Sequence, residues 1–211
     1  MLRRLLAGVV LAVMLASVAT SGWLVAGGPL VAEASGAATV TDETLAAHGY
    51  SPMRVEHVRV DEAVRAGGVT KRVNVSMYVA ATTTTDPDRG PAGLMTATLP
   101  AARVAGVATN PLAHVPVERA FEFVVPHLPT DMESFEAVGS RSVSVAGETR
   151  TVTTYEARAA SGEVLELSVA RVVVGEDLVV VVGTQPAGAG EGATLLDLMA
   201  ALEHSERPGT E

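Results

Sequence analysis

Between Val138 and Pro186 the chain passes four times from an apolar run to a turn, and this rhythm constrains the fold more than any other feature. Val143-Ser144-Val145 ends at Gly147-Glu148, and Thr149 to Ala157 ends at Ser161-Gly162. Val164 to Val174 ends at Gly175-Glu176-Asp177, and Leu178-Val179-Val180-Val181-Val182-Gly183 closes the series. Strand, turn, strand at this spacing predicts an antiparallel meander. The fourth run is apolar throughout and predicts a strand covered on both faces. In the third, Leu165, Leu167 and Val169 point one way, and Glu166 and Ser168 the other.

The preceding residues supply the rest of a sheet. Met53 to Val60 reads as a strand. Val69 to Ala80 alternates most cleanly, with Val69, Val73, Val75, Met77 and Val79 on one face and Arg72, Asn74, Ser76 and Tyr78 on the other; Lys71 breaks the pattern. Leu94 to Leu99 and Arg103 to Val107 are further strands. Thr41-Asp42-Glu43-Thr44 offers N-cap residues for a short helix from Leu45 to His48, stopped by Gly49. Pro116 suits a helix start, with Val117, Phe121, Val124 and Val125 at helical spacing before Pro126 and Pro129. A last helix near Thr194 carries Leu195, Leu198, Met199 and Leu202 on one face. The sum is an α+β domain: an antiparallel sheet of about seven strands, with two or three helices packed mainly on one face.

The N-terminus is of another kind. Arg3 and Arg4 precede an apolar run from Leu5 to about Leu30, and Ala32-Glu33-Ala34 has the small-x-small form of a signal-peptidase site. The run is long enough to span a bilayer, which takes roughly 20 residues. Residues 1–34 therefore read as a signal peptide or membrane anchor, an N-terminal apolar helix. Residues 35–43 read as a flexible tether, 44–205 as the α+β domain and 206–211 as a polar tail.

Charge narrows the partners. The chain carries 15 Lys+Arg against 24 Asp+Glu; without Arg3, Arg4 and Glu33, 13 basic residues face 23 acidic ones. That balance disfavours nucleic acid and anionic lipid surfaces. Only one basic residue, Lys71, is a lysine. Acidity with so little Lys suits a salt-loving organism. The absence of cysteine excludes disulfides, thiol catalysis and lipidation through an N-terminal Cys.

Nothing in the remaining residues nominates a reaction. His48, His57, His114, His127 and His204 show no HxH or HExxH spacing, and no Ser sits in G-x-S-x-G. Gly188-Ala189-Gly190-Glu191-Gly192 lies between a strand and a helix, where a phosphate loop would lie. Its glycine spacing is wrong for one, however, and Glu191 would repel phosphate, so it reads as a connector. Asn74-Val75-Ser76 is an N-glycosylation sequon on an outward strand face. Trp23, Tyr50, Tyr78, Tyr155 and three Phe are few aromatics for a stacking site. No residue is assigned a catalytic, cofactor-binding or metal-ligating role, and no cofactor is expected.

Several phrases together resemble a known family. They are Thr44-Leu45-Ala46-Ala47-His48-Gly49-Tyr50, Asn110-Pro111-Leu112, Val143-Ser144-Val145-Ala146-Gly147, the run from Val174 to Gly183, Pro186, and Leu202-Glu203-His204. In this order, over roughly residues 40–205, they resemble the DUF6517 type of uncharacterised haloarchaeal exported proteins. Arg3-Arg4-Leu5-Leu6 is similar to the twin-arginine export signal of that family. Many of its members look like lipoproteins with an N-terminal Cys, which this chain lacks. The element order also resembles the PsbP/Mog1/LpqN type of α+β sandwich, a mostly non-enzymatic group. The resemblance implies export and no established activity. The reading is an exported, membrane-associated, non-catalytic accessory or binding domain with a protein or small-molecule partner. The alternatives are an extracytoplasmic hydrolase with a dispersed site and a surface-structural protein. A pocket with convergent His, Asp and Ser would favour the hydrolase.

Overall fold

The computed structural model describes residues 30–66, 69–86, 91–104, 107–109, 132–159 and 162–206. Their order is β1 (Leu30–Glu33), β2 (Gly36–Thr39), α1 (Asp42–Ala47), β3 (Tyr50–Ala66), β4 (Val69–Thr84), β5 (Gly93–Leu99), β6 (Ala102–Val104), β7 (Val107–Thr109), β8 (Met132–Val145), β9 (Glu148–Ala159), β10 (Val164–Val174), β11 (Asp177–Pro186), α2 (Gly192–Ala200) and β12 (Glu203–Glu206).

The meander forms as its turns dictate: β8, β9, β10 and β11 pair antiparallel in succession. β11 then pairs with β5, β5 with β4, and β4 with β3, all antiparallel. This places the all-apolar β11 in the middle of the sheet, as its composition requires. β4 is longer than β5. Its residues Tyr78 to Thr83 pair with β5, and β1 pairs in parallel with Val73 to Ser76. The eight-stranded sheet is therefore mixed, which corrects the expectation of a purely antiparallel sheet of about seven strands.

One face of the sheet is buried beneath both helices. Val179 and Val181 of β11, Ala170 and Val172 of β10, Val152 of β9 and Leu94 of β5 pack with Leu45 of α1 and Leu195, Leu198 and Met199 of α2. Gly183 lets α2 approach: a Cβ there would lie 3.1 Å from Met199 Cε and 3.3 Å from Leu195 Cβ. Thr41 caps α1, its hydroxyl accepting from the Thr44 N–H at 3.3 Å. A small two-stranded sheet of β2 and β12 lies on the same face. It rides over β5, where the Ala38 N–H donates to Thr98 Oγ1 at 3.1 Å and Thr96 Oγ1 donates to the Ala38 carbonyl at 2.6 Å. Two buried threonines are thereby satisfied. On the opposite face Tyr155, Ala157, Leu167 and Val169 form a second buried cluster, and Val75, Met77 and Val79 of β4 are buried there as well.

Two further expectations need correcting. Ser168, expected to be exposed, is 8% exposed, because Glu166 and Ser168 share the helix face with Gly183. Residues 36–39 of the expected tether form β2 and are hydrogen-bonded into the domain. The last helix begins at Gly192, two residues before Thr194. Val75, Met77, Leu167 and Val169 are buried and Arg72 is exposed, as the alternation predicts; the side chain of Val73 lies outside the description. The N-terminal apolar helix and the helix over Val117 to Val125 fall outside the described residues, while Leu30–Glu33, at the end of the apolar run, is a strand. Among the described residues no helix is long and apolar enough to cross a membrane.

Candidate functional site

A notch opens where two hairpins part. β9 and β10 pair from Val164↔Arg158 to Val169↔Thr153 and then separate. β10 continues beside β11 to Val174. β9 continues beside β8 to Glu148, and that hairpin curls over the helix face. β8 carries register shifts between Met132 and Ser134 and between Ala137 and Gly139, and such bulges bend a strand. The hairpin tip is held by α2: Val145 is buried in the core, and the Ala146 N–H donates to the Met199 carbonyl at 3.4 Å. The space left between β9 and β10 is a cleft of about 360 Å³ lined by Arg150, Thr151, Thr153, Arg171, Val173 and Leu178, among others. Its size falls in the range of small-ligand sites, about 300–1,000 Å³. Arg150 approaches Glu148 at 3.7 Å across exposed surface, a contact of little energetic weight. A smaller cleft of about 150 Å³ lies under α1, floored by Leu45, Val55, Leu94 and Leu202.

A second constellation joins three distant parts of the chain. Asp177, at the start of β11, has a side chain only 4% exposed, and that of His204 on β12 is 7% exposed. His204 Nε2 lies 3.3 Å from Asp177 Oδ2 without hydrogen-bond geometry. The same Oδ2 accepts from both the N–H and the Oγ–H of Ser35, each at 2.7 Å. Histidine, aspartate and serine thus converge, but in an order unsuited to nucleophilic catalysis. Ser35 Oγ gives its proton to the carboxylate, whereas an activated serine donates to an imidazole base. Neither cleft is lined by any of the three.

The family model described as a domain of unknown function, DUF6517, matches residues 37–203. The chain belongs to the DUF6517 family. No curated protein matches it. Among solved structures it is similar to a crystal structure of PA94 from Pseudomonas aeruginosa, a protein of unknown function. The identity is 12%, the TM-score 0.40, and the alignment covers 71% of this chain and 99% of that one.

In this DUF6517 domain the structure joins phrases that lie far apart in sequence. Tyr50, which closes the first phrase, donates to Glu191 Oε2 at 3.1 Å. Glu191 belongs to the glycine-rich connector, is buried, and precedes the first turn of α2. Its carboxylate thus serves an internal bond. Beside it Gln185 Nε2 donates to Glu166 Oε2 at 2.6 Å. Asp177 of the Val174 to Gly183 phrase meets His204 of the closing phrase.

The other described histidines, His48 and His57, do not converge. His57 stacks on Tyr78 across the β3–β4 pair, with ring centroids 4.8 Å apart. His48 caps the end of α1. His114 and His127 lie outside the described residues. Among the described residues no group of three or more His, Asp or Glu side chains could hold a metal ion. Asn74 of the sequon is half-buried, with β1 on one side and β3 on the other. Neither the notch nor the contact of Ser35 with Asp177 was visible in the sequence. The notch depends on where a ladder ends, and the contact spans 142 residues.

Proposed function

We propose that this DUF6517 protein is carried across the cell membrane by its N-terminal segment and works on the outer side as a non-catalytic accessory or binding domain. Its acidic, lysine-poor composition supports a saline surrounding. The observation that carries the binding reading is the notch. Two strand ends part there with no pairing between them, above a partly apolar floor and beside Arg150 and Arg171. An extended segment of a partner protein fits such a place, because strand edges supply main-chain hydrogen bonds and the flanking side chains select the sequence.

The convergence of Ser35, Asp177 and His204 favours a hydrolase as the second reading. Burial and the direction of the serine hydrogen bond weigh against it. A photocrosslinking side chain at Val173, 42% exposed at the notch, separates the two readings when compared with one at Val138 on β8, 56% exposed. The binding reading expects a discrete adduct from position 173 that Thr153→Arg abolishes, and none from position 138. Equal adducts at both positions, or ester or phosphoester hydrolysis that disappears in His204→Ala, would overturn it.

A further inference from the structure

We propose that the Ala34–Ser35 bond is a processing site, and that the α-ammonium released on Ser35 becomes the ionic partner of the buried Asp177 carboxylate. The inference rests on the export reading above and goes beyond it. The small-x-small pattern Ala32-Glu33-Ala34 ends at this bond. The structure adds what the pattern alone does not contain: the very next nitrogen is 2.7 Å from Asp177 Oδ2. Hydrolysis adds water across the amide, leaving a carboxylate on Ala34 and an amine on Ser35 that takes up a proton. The nitrogen already sits in hydrogen-bonding position, and it exchanges a neutral N–H for a charged donor without moving.

The surroundings suit that exchange. A carboxylate removed from water needs a counter-charge or several hydrogen bonds. Among the described residues the ionisable group in ion-pairing range of Asp177 is His204, whose Nε2 is not aligned to donate. Ser35 itself is exposed, so the remaining ammonium hydrogens face water and are not stranded. The present bond already has a carboxylate as acceptor, and an ammonium donor adds direct attraction between opposite charges to it. Ala34 is 3% exposed and its N–H donates to the Ser76 carbonyl at 2.9 Å, so the scissile bond is closed within the folded chain. Cleavage therefore requires the segment from Leu30 to Ala34 to be released from β4, either before the sheet closes or by local opening of β1. Loss of β1 removes a four-residue parallel strand from β4. The new ion pair offsets part of that loss and pins the mature N-terminus beside β12.

The test uses the full chain expressed in a host that exports it. Intact mass and N-terminal sequencing of the recovered protein should give a start at Ser35. The amine is then labelled with an acylating reagent near neutral pH. Lys71 is the only lysine, so the α-amine product is resolved cleanly by peptide mapping. Ion pairing holds the amine protonated, and one unit of such stabilisation slows labelling about tenfold. Labelling should therefore be about tenfold slower in the folded protein than in the same protein in denaturing urea, once the reagent is calibrated on a free peptide. Asp177→Asn should abolish the protection and His204→Gln should leave it. The comparison with urea needs no variant, so a poorly folding Asp177→Asn would not block the test. Equal folded and unfolded rates would overturn the inference, as would an exported protein that starts elsewhere; both leave the export reading standing. Retention in the cytoplasm would overturn the two together.

Discussion

Gly183→Ala tests how closely α2 is seated on the central strand. Two effects oppose each other. Replacing a strand glycine by alanine removes conformational freedom from the unfolded chain and stabilises by about 0.4–1 kcal/mol where the backbone and the space permit. Here the space does not permit it. The new Cβ would stand 3.1 Å from Met199 Cε, 3.3 Å from Leu195 Cβ and 3.4 Å from Leu195 Cδ1. Carbon atoms prefer roughly 3.5–4.0 Å, so two residues are crowded at once. Met199 Cε ends a flexible side chain, but Met199 and Leu195 are both buried in the core, where a turn displaces other packed groups. Leu195 Cβ is fixed to the helix backbone, so α2 itself must lift. Adding a methyl to a packed core costs about 1–3 kcal/mol, which outweighs the entropic gain and leaves a net loss of about 1 kcal/mol.

For a domain of this size that loss lowers Tm by about 2–4 °C, within the reach of scanning calorimetry. Gly139→Ala is the matched control. It also lies in a strand, but its Cβ would meet nothing within 4 Å, and its Tm should stay level or rise. Met199→Ala should relieve part of the crowding, so the double variant with Gly183→Ala should lose less than the sum of the two singles. A Gly183→Ala protein that melts at or above wild type would refute the seating of α2 described here.

Three other outcomes follow from the same geometry. Val179→Asp buries a charge beneath α2 and should prevent folding, whereas Val180→Asp, half-buried on the other face, should leave a destabilised but folded domain by circular dichroism. Thr96→Val keeps the shape but strands the Ala38 carbonyl that the hydroxyl serves at 2.6 Å, and should cost about 1–2 kcal/mol in urea unfolding. From Ser35 onward ten more acidic than basic residues repel one another. That repulsion reaches about 30 Å at 0.01 M salt and about 3 Å at 1 M, so Tm should climb with KCl; a flat profile would remove the saline reading.

The parts of the fold legible in sequence were those whose signal is local. β10 runs from Val164 to Val174, the bounds its turns mark, because Ser161-Gly162 and Gly175-Glu176 break the chain on either side. Alternation in β4 correctly assigned Val75 and Met77 to a buried face. Legibility failed where a second layer changes the meaning of a residue. Ser168 reads as the wet side of its strand, yet it is buried on the helix face, and Thr96 and Thr98 of β5, to which the sequence assigned no face, are buried under β2. β1 was hidden differently. Leu30–Glu33 ends an apolar run whose length and charge pattern pointed to export, and its pairing with Val73 to Ser76 depends on register 43 residues away. The notch could not be read at all, since every residue of β9 and β10 looks equally able to pair.

The meeting at Asp177 ties β2 and β12 to the centre of the sheet. Asp177 opens β11, the strand with β5 on one side and β10 on the other. Its carboxylate receives Ser35 from the N-terminal side and lies against His204 from the C-terminal side. The segments that follow Ser35 and contain His204 are β2 and β12, which pair from Gly36↔Glu206 to Thr39↔Glu203. β2 in turn satisfies Thr96 and Thr98 on β5. A change at Asp177 therefore acts on the segments of β2 and β12 and, through β2, on the core strand next to β11. The energetic weight of this one acidic side chain rests on its two bonds from Ser35 and on its contact with His204. Both segments are also anchored by burial, since Ala38, Val40 and Leu202 pack in the main core, so Asp177 adds a polar tie to an anchorage that packing already supplies.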